Sequence, residues 1–182
     1  MLPFIIAVII VAMIAVWVIY TQRRLVVLDE NIRNAMSQIG MQLSNRFDAL
    51  TALLNMAKGY AQHESEALIE IIKSRRSEIT ARSTPDDVLL QEDIISEVWG
   101  RITMVTEQYP ELKTNQHYTR TMDAVETFEN IVRTSRLIYN DSVTKLNREI
   151  RLFPVSMIAG ILGFRKREYL ETQTVKADMP YM

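Results

Sequence analysis

The residue types that most often do chemistry in proteins are sparse in this chain. It has 182 residues, no cysteine and two histidines, His63 and His117, which lie on different predicted helices. Without a thiol, the chain forms neither a disulfide nor a thiolate nucleophile. A di-iron site in a helical bundle needs Glu-x-x-His on each of two helices, and here Tyr60 and Thr114 stand three residues before the histidines. The sequence therefore excludes that metal site.

Other sequence signatures of catalysis are missing too. The chain contains no His-Glu-x-x-His zinc motif, no phosphate-binding loop, no Gly-x-Ser-x-Gly elbow and no dinucleotide fingerprint. His63-Glu64, followed by Glu66, is typical of a charged helix start. We therefore predict a protein that is not an enzyme and needs no cofactor. The net charge of −1 also argues against nucleic acid as a partner, because phosphate binding requires a cationic surplus.

Polar side chains recur every seven residues on two predicted helices. Seven residues return to nearly the same helix face, so each set forms a polar line that an antiparallel neighbour could meet. Buried amides or an Arg–carboxylate pair would fix register and partner choice more than they add stability, whereas ordinary solvated faces are the alternative. Candidate charge partners are Arg46 and Asp48 with Glu126 and Glu129. The predicted register and interaction residues are Gln38, Asn45, Arg46, Arg133, Asn140 and Asn147.

The elements that would position these residues begin with an apolar stretch. Residues 2–20 carry no charged side chain, and at 1.5 Å per residue they span about 28 Å, close to the hydrocarbon thickness of a bilayer. A buried core helix or a cleaved signal peptide is the alternative, but the chain has neither a basic start nor a small-residue cleavage site. We predict a transmembrane anchor over residues 1–21, with lipid contacts at Leu2, Phe4, Ile9, Ile14, Trp17 and Tyr20.

Positive charge follows this stretch at once, at Arg23 and Arg24. The positive-inside rule then places the N-terminus outside and the rest of the chain in the cytoplasm. Residues 152–164 are also uncharged but are too few to span a bilayer, so they form an interfacial, re-entrant or core-capping segment. Its expected interfacial side chains are Phe153, Ile158, Ile161, Leu162 and Phe164, and the expected headgroup contacts are Arg23, Arg24, Arg165, Lys166 and Arg167.

Helical periodicity fills the chain between these two apolar segments. The patterns predict helices reaching about residue 58, over 63–82, from the Thr84-Pro85 start to about 109, and over 114–153. Short loops between them favour antiparallel packing. We therefore expect an all-α protein, an antiparallel long four-helix bundle over 22–153 preceded by one transmembrane helix. A membrane-proximal segment over 152–167 and a flexible tail over 168–182 complete the expected organisation.

Several short motifs occur in an order that resembles the LemA family. They are Ser37-Gln38-Ile39, Lys58-Gly59-Tyr60-Ala61, His63-Glu64, Tyr109-Pro110, Tyr139-Asn140-Asp141, Phe153-Pro154 and Gly163-Phe164. Gly40 departs from the family pattern, which is usually acidic there, and Phe128 stands where a polar residue is typical. The resemblance implies a bacterial, membrane-anchored helical bundle, and the family has no settled catalytic activity.

Together these features predict a non-enzymatic, single-pass protein of the bacterial inner membrane. Its cytoplasmic bundle is expected to self-assemble as a membrane-associated scaffold, with the lipid bilayer and other copies of the chain as partners. One alternative is an adaptor or regulator of another membrane protein, such as a protease or a stress-signalling component. Another is a membrane-remodelling protein in which residues 152–164 act as an inserted wedge.

Overall fold

The computed structural model describes residues 1–170, and within that range the regular structure is all helical. The elements are α1 (Leu2–Ala57), α2 (Gln62–Arg75), α3 (Pro85–Gln108), α4 (Gln116–Glu149) and the short α5 (Val155–Ala159), with a 3-10 turn at Pro110–Thr114 before α4. Each of α2, α3 and α4 packs against α1, and α4 does so most extensively. The expected all-α class is therefore confirmed.

Helix α1 continues without a break from the apolar stretch into the body of the protein. It has 56 residues and a length of about 84 Å. Its most apolar 18-residue window has no residue buried in the protein, and its length and composition suit a bilayer-spanning helix. From Thr21 onward one face is buried, with Leu25, Ile39 and Leu50 fully enclosed. One helix therefore has two environments, which meet near Thr21.

Helix α4 runs alongside this buried face in the opposite direction. Arg24 pairs with Glu149 at 3.0 Å, and Arg46 pairs with Glu129 at 2.8 Å. Residue numbers therefore decrease along α4 as they increase along α1, which makes the two helices antiparallel. Between these ion pairs one apolar stripe of α4, formed by Val132, Tyr139, Val143 and Leu146, is buried. Burial of this shared stripe, rather than helix propensity, holds the two helices together.

The start of α3 agrees with its sequence signature. The Thr84 side chain accepts a hydrogen bond from the Asp87 backbone N–H at 3.3 Å, and the Asp87 carboxylate accepts one from the Thr84 backbone N–H at 2.7 Å. Pro85 occupies the first helical position, where its missing N–H leaves no bond unmade. These hydrogen bonds hold the pKa of the Asp87 carboxyl below its usual range. The predicted helix start is confirmed.

The end of α2 differs from the prediction. The helix stops at Arg75, not near residue 82, because Arg76 adopts extended backbone with ψ 124°. Ile79, which fitted the helical period, is buried from a segment without helical structure. Gln91 of α3 fastens this segment, since its fully buried amide accepts from Ser77 N–H at 3.0 Å and donates to the Arg75 carbonyl at 3.2 Å.

Gly40 lets this segment cross α1 at close range. A Cβ at position 40 would lie 2.1 Å from the Ile79 carbonyl oxygen, which is far inside van der Waals contact. Since the obstacle is backbone and not the end of a flexible side chain, the segment or the helix would have to move. The departure at Gly40 from the family pattern thus has a steric reason in this chain.

We predict that Gly40→Ala destabilises the protein by about 1–3 kcal/mol, the usual cost of forcing extra volume into a packed site. Gly100→Ala is the matched control, because Gly100 lies within α3 and an added Cβ there meets nothing within 4 Å. The control should be neutral or stabilise by up to about 1 kcal/mol. Chemical unfolding of the full chain in detergent, followed by circular dichroism, measures both. Equal midpoints for the two variants would contradict the crossing at Gly40.

Candidate functional site: the membrane-proximal end

One end of the helical body lies level with the end of the apolar stretch. α4 ends at Glu149 opposite Arg24, so the chain leaves this helix heading toward the apolar part of α1. There Thr21 is buried and Trp17 packs against the hydrophobic core. Residues 150–164, including α5, therefore lie where the exposed and the buried parts of α1 meet.

The apolar segment over 152–164 has an inward and an outward side. Val155 and Ala159 are buried in the core, and Ile158, Leu162 and Phe164 are partly buried. Phe153 and Ile161 are 79% and 84% exposed, although both are large apolar side chains. Leu152 and Met157 are exposed as well. Part of the segment thus caps the core while the rest presents apolar surface to its surroundings.

The basic residues at this end divide in the same way. Arg23, Arg165 and Lys166 are exposed. Arg24 is also exposed but is paired with Glu149. Arg167 turns to α1, where its Nη2 and Nε donate to one carboxylate oxygen of Asp29 at 2.7 and 3.1 Å. Of the five basic residues expected at lipid headgroups, Arg24 and Arg167 therefore have a carboxylate of the protein as their partner.

Two asparagines on α4 hold the chain that follows. The Asn147 amide donates to the Arg167 carbonyl and accepts from the Arg167 N–H, both at 2.9 Å. The Asn140 amide makes the same pair of bonds with Leu170, both at 2.8 Å. Leu170 is fully buried. We call residues 165–170 the strap, because two side chains of one helix fasten its backbone.

Tyr139 adds a further contact to the strap. Its hydroxyl donates to the Glu168 carbonyl at 3.1 Å. Burial raises the pKa of this phenol, so the hydroxyl remains a neutral donor at physiological pH. The expected flexible tail over 168–182 thus begins with three residues held on α4, while positions 171–182 lie outside the described residues.

The other predicted interaction residues are spread over the body. Gln38 and Arg133 are exposed, and Asn45 lies beside a groove of about 730 Å³ between α1 and residues 76–81. Sequence reasoning paired the polar lines of two helices with each other. In the structure the amides of Asn140 and Asn147 bond to the strap. The sequence of the strap has no periodicity and gave no sign that it would be the partner of these two amides.

Two ion pairs cross the interior between helices. The Arg46 guanidinium is nearly buried and pairs with the more exposed Glu129 at 2.8 Å, while Arg136 of α4 and Glu92 of α3 pair at 2.6 Å with both side chains mostly buried. Burial raises the pKa of the Glu92 carboxyl, against the attraction of Arg136 and Arg46. Burial likewise lowers the pKa of the Arg46 guanidinium, although Glu129 opposes the shift. These pairs tie α4 to α1 and to α3.

Metal-ligating side chains do not gather anywhere in residues 1–170: no group of three or more His, Asp or Glu there is arranged to hold an ion. The absence of a cofactor and of enzymatic activity remains a prediction. The groups at this end are suited to binding. They are exposed apolar side chains, exposed cations and two asparagine amides that hydrogen-bond to a peptide backbone.

Comparison with known proteins bears on this arrangement. The model of the LemA family matches residues 35–181, which is most of the chain. The chain belongs to the LemA family. Two curated proteins of Paramagnetospirillum magneticum, magnetosome protein MamQ 1 and magnetosome protein MamQ 2, are each 33% identical to it over 72 residues. That match covers 40% of this chain and 26% of each relative, so it spans about a quarter of their length.

Family membership and the exposed apolar part of α1 together indicate a membrane-associated helical protein. The family resemblance of the sequence motifs is thereby confirmed. Asn140 and Asn147 lie within the part of this LemA protein that the family model covers, and so does the strap that they hold.

We predict that Asn147→Ala loosens the strap. Losing two hydrogen bonds costs about 1–2 kcal/mol, which raises the open fraction roughly 5- to 30-fold. Trypsin should then cleave after Arg165, Lys166 and Arg167 correspondingly faster in the detergent-solubilised chain, as followed by mass spectrometry. Asn130→Ala, an exposed asparagine of the same helix, is the matched control. Identical cleavage rates for the two variants would show that the Asn147 amide does not hold the strap.

Proposed function

We propose that this LemA protein is a non-enzymatic, single-pass protein of the bacterial inner membrane that acts as a scaffold. Residues 1–21 would cross the bilayer with the N-terminus outside, and residues 22–153 would form an antiparallel four-helix bundle in the cytoplasm. One observation carries the proposal: α1 passes without interruption from an almost entirely exposed apolar surface to a buried core face. A continuous helix transmits the position of the anchor rigidly to the bundle.

The membrane-proximal segment supports this placement. An apolar side chain as exposed as Phe153 or Ile161 gains from lipid contact, at about 25 cal/mol for each Å² removed from water. Exposed Arg23, Arg165 and Lys166 lie at the same end, where anionic headgroups would attract them. The bundle would then rest on the bilayer instead of hanging from a single helix.

We predict that residues 153 and 161 contact the bilayer interface. The chain has no cysteine, so Phe153→Cys and Ile161→Cys each accept one environment-sensitive fluorophore. In proteoliposomes both labels should emit at shorter wavelength and be quenched by lipid-borne quenchers but not by aqueous iodide. Asp123→Cys on α4, exposed in the folded chain and outside the apolar faces of the helices, is the control and should stay iodide-accessible. Full iodide access at 153 and 161 would remove the interfacial placement.

We also predict that the chain beyond Tyr20 is cytoplasmic, because Arg23 and Arg24 favour the inside. A fluorescent protein fused after Met182 should fold and emit in bacterial cells. Alkaline phosphatase fused at the same position, which is active only after export, should stay silent. The reverse pattern would contradict the proposed orientation.

Self-assembly is the second part of the proposal. Large apolar side chains remain exposed on the outer faces of two helices, Leu90 and Met104 on α3 and Ile131, Leu137 and Ile138 on α4. Contact between copies would bury them, and anchoring in one plane would restrict the orientations that copies adopt. Such faces would equally suit an adaptor that binds another membrane protein. The outward residues of 152–161 would suit a membrane-remodelling wedge.

We predict that particles extracted in mild detergent contain several copies of the chain in a symmetric arrangement. Analytical ultracentrifugation across concentrations and direct imaging of the particles measure mass and symmetry. Monomers at every concentration would contradict self-assembly. Particles that contain one abundant foreign protein in fixed ratio would favour the adaptor over the scaffold.

A further inference from the structure

The two asparagines on α4 are spaced to read the backbone of an extended peptide. Asn140 and Asn147 are seven helical residues apart, which is about 10.5 Å along the axis. Their partners, Arg167 and Leu170, are three residues apart. Three residues cover about 10 Å only when the chain is extended. Each amide donates to the carbonyl of one strap residue and accepts from the N–H of the same residue.

Backbone contacts of this kind do not depend on the sequence of the bound segment, so selectivity must come from side chains. Two strap side chains provide it. Arg167 pairs with Asp29, whose carboxylate is largely buried and is also held by Arg33 at 2.8 Å. Leu170 is completely enclosed in the hydrophobic core. The two intervening residues, Glu168 and Tyr169, are exposed.

We propose that Asp29 of α1, with Tyr139, Asn140 and Asn147 of α4, forms a recognition site for an extended Arg-x-x-Leu peptide. In the folded chain its own strap fills the site. The same site takes the strap of a second copy, so that exchanged straps join neighbouring copies. This inference rests on the self-assembly in the proposed function and names the contact that would produce it.

Three features favour a second copy as the occupant. The site fits a sequence that every copy carries, so an exchanged strap makes the same bonds as the original one. The strap follows the core-capping segment, in which Val155 and Ala159 are buried, and begins two residues after Gly163, where the chain turns with φ 83°. Anchoring by α1 would hold all copies at one height above the membrane, which presents each strap level with its neighbour's site and raises the effective concentration.

Crosslinking between differently tagged copies tests the exchange. Thr144 of α4 and Tyr169 of the strap face each other, with their hydroxyl oxygens 3.4 Å apart. The cysteine-free chain allows Thr144→Cys in a copy with a large tag and Tyr169→Cys in a copy with a small tag. The two are co-expressed and treated in membranes with a short bismaleimide. We expect a heterodimer band that falls at least five-fold when Asn140→Ala and Asn147→Ala are added to the Thr144→Cys copy.

Asp123→Cys, an exposed position of α4, replaces Thr144→Cys in the matched control and should give only background heterodimer. A chain carrying both Thr144→Cys and Tyr169→Cys reports the strap held in its own copy. The exchange would be overturned by two results together. The double-cysteine chain crosslinks within itself, and the co-expressed pair gives no more heterodimer than the Asp123→Cys control. If the particles are still oligomeric, that outcome contradicts only the exchange of straps. Monomeric particles would contradict both the exchange and the proposed self-assembly.

Discussion

The structure depends on one helix whose two parts have different surroundings. From Leu2 to Tyr20 α1 carries apolar side chains around its whole circumference, and the rest of residues 1–170 leaves them almost entirely exposed. Beyond Thr21 the same helix has one apolar stripe, and α2, α3 and α4 cover it. The helix does not break between these parts, so the exposed apolar stretch and the buried stripe lie along one axis. α4 ends at Glu149, opposite Arg24, and the apolar segment over 152–164 lies where the exposed and the buried parts of α1 meet.

Polar bonds complete what burial of the stripe begins. The ion pair of Arg46 with Glu129 fixes how α4 lies along α1, and the pair of Arg136 with Glu92 fixes α3 against α4. Arg46, Arg136 and Glu92 lose most of their water, which offsets the attraction within each pair, and removing the partner of one of them would leave a buried charge. We therefore expect these pairs to define register more than they increase the free energy of unfolding. The strap closes the body in the same manner, through amide bonds to its backbone and one enclosed leucine.

Sequence reasoning predicted the features that depend on local patterns. The Thr84-Pro85 start of α3 was predicted to the residue, because capping needs only neighbours in the chain. The apolar stretch and the helical class follow from composition and period. The predicted end of α2 was wrong, because Ile79 fits a helical period but is buried from an extended segment that crosses α1 at Gly40. The partner of Asn140 and Asn147 could not be predicted from the sequence either, because Arg167 and Leu170 belong to a segment without periodicity.

Spin-label scanning along α1 in lipid bilayers tests the central claim most directly. Single cysteines from position 4 to position 54 of the otherwise cysteine-free chain report access to oxygen, which concentrates in lipid, and to an aqueous nickel complex. The account predicts high oxygen access on every face up to about Tyr20. From Thr21 onward it predicts a 3.6-residue alternation between buried and nickel-accessible positions. The same alternation within residues 4–20, with low oxygen access, would mark a protein-covered core helix and contradict the account.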